Sequence, residues 1–134
     1  MKRRALGLLL FLLIIPLFMG CNQAREASKG TVTFEIYTAG DDSETTEVET
    51  EYVSNTMEVL YYEDDTLFEL LNTNFTITYE ESDFGRYLTS IDTLIVVETN
   101  EYISFYINDA YAETGVDATE LVDGLVYQFK LATF

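Results

Sequence analysis

The 134-residue chain has no histidine, no tryptophan, one cysteine, one proline and only seven basic residues against 24 acidic ones. Each shortage closes off a class of function. Without histidine there is no Ser–His or Cys–His nucleophilic pair, and zinc sites built on imidazole have no ligands. With Cys21 as the single cysteine, no disulfide forms within the chain. A formal net charge of −17 repels phosphate backbones, so nucleic acid is not an expected partner. Paired carboxylates of the hydrolase kind are permitted by residue type. Among 24 carboxylates, though, neighbouring pairs arise by chance, and a domain of about a hundred residues leaves little room for a cleft. The expectation is a protein that is not an enzyme.

One long apolar run is present, and it stands at the start. Lys2, Arg3 and Arg4 precede "ALGLLLFLLIIPLF", which Pro16 interrupts and Met19-Gly20-Cys21 closes. A bilayer-spanning helix needs about 20 apolar residues. This shorter run, with a basic head and a small residue at its end, reads as an export signal over residues 1–20. A plain cleaved signal and an N-terminal anchor helix are the bland alternatives. The placement of Cys21 resembles the lipobox of bacterial lipoproteins, with Gly20 as the small residue before the cysteine and Phe18 and Met19 bulkier than the usual pair. That resemblance implies a lipidated Cys21 and an extracytoplasmic domain anchored to the membrane. Each buried CH₂ of such lipid contributes about 0.8 kcal/mol. Beyond residue 20 only four basic residues (Arg25, Lys29, Arg86, Lys130) face all 24 acidic ones, a net charge of −20.

"NQAREASKG" after Cys21 is polar and reads as a tether through residue 30, leaving one domain over residues 31–134. From Thr31 the texture turns β-branched and aromatic with period two. Val32, Phe34 and Ile36 share one face, and Thr33, Glu35 and Tyr37 the other. "AGDDSE" reads as a turn, and "TEVETEYV" alternates again, with Glu47, Glu49 and Glu51 toward solvent. "TLFELLN" is the one helix candidate, where Thr66 and Glu69 match a capping box and Leu67, Leu70 and Leu71 share a face. Further strands are expected at "FTITY" (Phe75, Ile77 and Tyr79 on one face), "RYLTSI", "TLIVVE", "YISFYIN" and, after an Asp123-Gly124 turn, "LVYQFKL". The expected fold class is α+β, mostly β: about seven strands and one short helix.

Oxygen-rich turns at Asp41–Glu44, Glu63–Asp65 and Glu80–Asp83 suggest calcium, yet none has the spacing of a dedicated calcium loop. Solvated acidic turns explain them as well. The aromatic set is the sharper signal, with ten tyrosines and nine phenylalanines. In "YISFYIN", Ile103, Phe105 and Ile107 are expected inward, while Tyr102, Ser104 and Tyr106 share the opposite face and Asn108 continues it. A tyrosine offers a flat apolar ring and a hydroxyl, which suits a ligand platform. Ordinary cross-strand packing is the competing explanation.

Over "SFYINDAYAETGVDATELVDGLVYQFKL" the chain resembles the DUF4430 domain of bacterial surface proteins, which is related to the C-terminal β-domain of transcobalamin and intrinsic factor. "DDTLFELL" and "GRYLTSID" fall where that family has its helix and central hairpin. The resemblance implies a β-grasp-like sheet with one short helix and a ligand surface for corrinoid-like molecules such as cobalamin. By position it points to Tyr102, Phe105, Tyr106, Asn108 and the corner at Gly115 and Asp117, with Ser104 added from the strand face. Members often carry tryptophan where this chain has Tyr102 and Ile103, and no helical partner domain accompanies it. In this reading Asn108-Asp109 makes a tight turn, and Gly115 supplies a positive φ at a second corner. The leading expectation is capture of a small ligand for delivery to a transporter, and the alternative is docking of a protein or glycan at the cell surface. A tyrosine-lined pocket favours the first, and a flat tyrosine face the second.

Overall fold

A computed structural model of the chain describes residues 27–39 and 51–134. The elements in order are β1 (Gly30–Ala39), β2 (Glu51–Tyr61), α1 (Leu67–Asn74), β3 (Ile77–Ser82), β4 (Gly85–Ile91), β5 (Leu94–Ile95), β6 (Glu101–Ile107), β7 (Ala110–Tyr111) and β8 (Val126–Thr133). The candidate export segment, Cys21, the Asp41–Glu44 turn, Glu47 and Glu49 lie outside the described residues.

Period-two alternation builds the main sheet. Val32, Phe34 and Ile36 on β1 are fully buried, while Thr33, Glu35 and Tyr37 are half-buried on the other face. The sheet runs β2-β1-β8-β6-β7. Its two central strands, β1 and β8, are parallel, while β2 and β6 flank them antiparallel. This is the β-grasp-like arrangement that the sequence suggests. β2 is longer than expected: the pattern was legible only to Val53, because Ser54, Asn55 and Thr56 carry no apolar signal. The pairing of β2 with β1 runs on to Tyr61, and Met57, Val59 and Tyr61 turn toward the core.

The start of β1 is tied to the β8 turn. Asp123 accepts the Thr31 backbone N–H at 2.8 Å, and Gly124 N–H donates to the Thr31 carbonyl at 2.8 Å. Gly124 has a φ of 81°, in the region where glycine escapes the Cβ penalty. Gly30 is needed for a different reason, since a Cβ there would stand 2.5 Å from the Asp123 carboxylate.

α1 begins as the capping box predicts. Thr66 Oγ1 accepts the Glu69 N–H, and the Glu69 carboxylate accepts the Thr66 N–H. Leu67, Phe68, Leu70 and Leu71 are buried, so two turns that would be marginal in water are held by packing. The helix runs through Asn74, and Phe75 is its C-cap rather than the first residue of a strand. Phe75 meets Phe34 edge-on at 5.7 Å.

β3, β4 and β5 form a second, three-stranded sheet. A bulge at Thr78/Tyr79 sends Tyr79 toward Phe68, edge to face at 5.0 Å. Glu80 to Ser82 continue β3, which narrows the expected turn to Asp83-Phe84. The core lies between α1, this small sheet and one face of the large sheet, where Phe105 stacks on Phe129 at 5.0 Å.

Candidate functional site

The face of the large sheet turned away from α1 carries the aromatic and charged groups. One register row crosses all five strands: Thr56, Glu35, Gln128, Tyr106 and Tyr111. The neighbouring row brings Lys130 opposite Ser104, and the next places Ala132 opposite Tyr102. Because side chains alternate, every one of these residues shares a face that no core residue occupies.

Gln128 organises the middle of that face. It is only 3% exposed, so its amide must find partners. Its Nε2 donates to Glu35 and to Asp109 at 2.8 Å each and stands 3.3 Å from the Tyr37 hydroxyl. Its Oε1 accepts the Asp109 backbone N–H at 2.7 Å, which fixes the orientation of the amide. Tyr37 donates its hydroxyl to the same Glu35 carboxylate at 2.8 Å. Burial and then the adjacent Glu35 raise the Tyr37 phenol above its ordinary pKa, so it stays a donor.

Around this network stand the rings. The Lys130 ammonium lies 4.6 Å from the Tyr37 ring centre and 5.1 Å from that of Tyr106, within cation–π range of both. Tyr106 meets Tyr111 edge-on at 5.5 Å, and Tyr111 is 60% exposed. Tyr102 lies 5.8 Å from Phe134. Burial, and then the nearby Tyr111 and Tyr106, raise the Tyr102 phenol. The arrangement offers ring faces, hydroxyls and two carboxylates on a sheet surface. Such a surface can stack on a ligand and hydrogen-bond it.

The seven sequence candidates divide. Tyr102 and Tyr106 stand on this face. Ser104 shares it but is 2% exposed and donates to the Lys130 carbonyl, so its hydroxyl is already used. Asn108 and Asp109 form the β6–β7 turn with φ of 48° and 68°, and the Asn108 side chain accepts the Val126 N–H at 2.9 Å. Phe105 points into the core. Gly115 does not have the expected positive φ, which belongs instead to Gly85 and Gly124 among the described glycines. Asp117 sits beyond the core, bonded to Arg86. Tyr37, Glu35, Gln128 and Lys130 were absent from the candidates because they come from β1 and β8, and only the register assembles them with Tyr106.

Two clefts lie elsewhere. One of about 100 Å³ is lined by Arg86, Leu88, Ile103, Phe105, Gly115 and Phe129. The other, of about 430 Å³, lies beside the start of α1 and includes Lys29, Tyr61, Glu63, Asp65 and Asp117. Acidic side chains at that cleft and on β3 are engaged locally: Glu63 pairs with Lys29 at 2.7 Å, Asp65 accepts the Tyr62 N–H, and Glu80 on β3 accepts the Tyr87 hydroxyl. Among the described residues, no three carboxylates or other ligating side chains converge so as to hold a metal ion.

No curated protein matches the sequence. Solved structures do match, and one is a 1.30 Å crystal structure of a candidate metal-binding protein from Ruminococcus gnavus ATCC 29149. It is 19% identical, with a TM-score of 0.61 over 79% of this chain and 99% of that one. At that identity the likeness speaks for the fold. Residues 64–133, from the turn before α1 to the end of β8, match the family described as a domain of unknown function, DUF4430. The chain therefore belongs to the DUF4430 family.

Proposed function

We propose that this chain is an exported, non-enzymatic binding module, tethered to a membrane through a lipidated Cys21, that docks a protein partner on the tyrosine face of its large sheet. The observation that carries the reading is the row through Glu35, Gln128, Tyr106 and Tyr111 with Lys130 between two tyrosine rings. Tyrosine is favoured at protein interfaces because it gives large rigid contact area with a hydrogen-bonding tip. The rings stand on a sheet face, and neither of the two clefts above includes Tyr37, Tyr102, Tyr106 or Tyr111. A broad sheet face suits a macromolecular surface better than a small molecule, which gains most from enclosure.

Capture of a corrinoid-like ligand for a transporter is the second reading. The sequence resemblance over Ser104–Lys130 favours it, as does the Tyr102–Phe134 pair, which offers a stacking edge. One-sided burial would limit such binding to a Kd on the order of micromolar or weaker.

Photo-crosslinking in intact cells tests the docking reading. A photoreactive residue placed at Tyr111 should give a discrete protein adduct, and one at Tyr87, on the small sheet, should not. Adducts from Tyr87 alone, or release of bound cobinamide as the sole effect of Tyr106→Ala, would count against docking on this face.

A further inference from the structure

We infer that the tyrosine face recognises cationic side chains, and that the intramolecular Lys130 ammonium marks the place where a partner's lysine or arginine is held. This rests on the docking reading above and names the chemistry of its partner.

Three observations converge on it. The first is the inventory of donors and acceptors. Gln128 spends its amide on Glu35 and Asp109, yet each carboxylate has lone pairs beyond the one it uses there, and a carboxylate accepts without donating. The π faces of Tyr37 and Tyr106 are likewise electron-rich. The complement of such a surface is a group with many N–H donors and a positive charge. The second is occupancy: an ammonium does sit between these rings, 4.6 and 5.1 Å from their centres, and it is the protein's own. The third is charge. The described residues include only three cations, and two are engaged far from this face, Lys29 with Glu63 and Arg86 with Asp117. A chain of net charge −17 attracts a basic partner over long range and repels an acidic one.

In this account a partner's ammonium or guanidinium takes the place over Tyr37 and Tyr106, with Glu35 accepting its hydrogen bonds. Lys130 swings out on its flexible stem. Lys130 is thus a competitor for its own site, which keeps the rings apart and covered until a partner arrives. Removing its charge should tighten binding, the reverse of what removal of a contact residue does.

Calorimetric titration of the full-length chain in detergent tests this with three synthetic peptides. They are identical except that the same positions hold lysine, glutamine or glutamate. The lysine peptide should bind, the glutamine peptide more weakly and the glutamate peptide not at all. Lys130→Met should tighten the lysine peptide roughly threefold or more, the scale of one exposed cation–π contact. Tyr37→Leu with Tyr106→Leu should weaken it by a similar factor or more, while Tyr37→Phe with Tyr106→Phe restores it, which separates ring chemistry from folding. Weaker binding in Lys130→Met, or lysine-peptide binding indifferent to both leucine changes, would overturn the inference in favour of diffuse charge attraction. Equal binding of all three peptides, lost in the leucine variant, would leave the docking face standing and sink its preference for cations. No binding by any peptide would count against both.

Discussion

Asp117 holds Arg86 twice, accepting its backbone N–H at 2.7 Å and its guanidinium through both carboxylate oxygens. The guanidinium in turn lies 3.5 Å from the centre of the Phe68 ring. One carboxylate thus fastens the corner after β7 to the start of β4, and through Arg86 to α1. The Arg86 guanidinium beside it, and then burial acting the opposite way, leave the Asp117 carboxyl below its usual pKa. A carboxylate with a lowered folded-state pKa stabilises the fold above its unfolded value and loses that contribution as pH falls through the folded one.

The acid limb of stability therefore carries an Asp117 component below about pH 4. Asp117→Asn should lower the melting temperature at pH 7 and flatten the fall between neutral and strongly acidic pH. Thermal unfolding of both proteins across that range reads it out. Parallel acid limbs in the two proteins would mean that Asp117 is not a source of the pH dependence. The pair is partly exposed, so the expected loss at neutral pH is small.

Phe105 and Tyr106 are adjacent in sequence and opposite in role. Phe105 is 9% exposed and stacked on Phe129 and Tyr127, so Phe105→Ala should cost about 3–5 kcal/mol. Tyr106→Ala removes a half-exposed ring and should cost far less. Chemical denaturation of the two variants decides the order, and the reverse order would place β6 one residue out of register.

Gly30 and Asp123 form the latch at the entry to β1. A methyl at residue 30 would collide with the Asp123 side chain and displace it from the Thr31 N–H. Gly30→Ala should destabilise by about 1–3 kcal/mol, the range for overpacking. Asp123→Ala should cost about 1 kcal/mol. The double variant should be more stable than the sum of the two losses implies, since the clash disappears with the carboxylate. Strict additivity in equilibrium unfolding would mean that the two residues do not meet.

Much of this fold could be read from short-range pattern. Val32, Phe34 and Ile36, the Thr66–Glu69 capping box, the inward set of β6 and the turns at Asn108-Asp109 and Asp123-Gly124 all express local rules. What escaped the sequence depends on neighbours. Ser54 to Thr56 become strand because β1 supplies a ladder, and Phe75 becomes a cap because Phe34 receives its ring. Half of the tyrosine face was legible for the same reason. Tyr102 and Tyr106 follow from alternation within β6, but Glu35, Gln128 and Lys130 join them only through the parallel pairing of β1 with β8 and the antiparallel pairing of β8 with β6. Asp117 was noticed for its place in a motif, and its ion pair with Arg86 spans 31 residues.

The proposed anchor gives its own prediction. Cys21→Ala should leave the protein unprocessed or release it from the membrane fraction, whereas the wild type stays with that fraction after high-salt washing. Equal retention of a fragment beginning at Asn22, exported with an ordinary signal, would refute lipid anchoring.

Radical footprinting of tyrosines compares the protein in its native membrane with the purified chain, and it tests the central claim most directly. Docking on the large-sheet face predicts that Tyr37, Tyr102, Tyr106 and Tyr111 are modified more slowly in the membrane setting. Tyr79 and Tyr87, both on the small sheet and exposed in this fold, should react at the same rate in the two settings. Equal rates at Tyr106 and Tyr111 in both, or slowing confined to Tyr79 and Tyr87, would contradict docking through the tyrosine face.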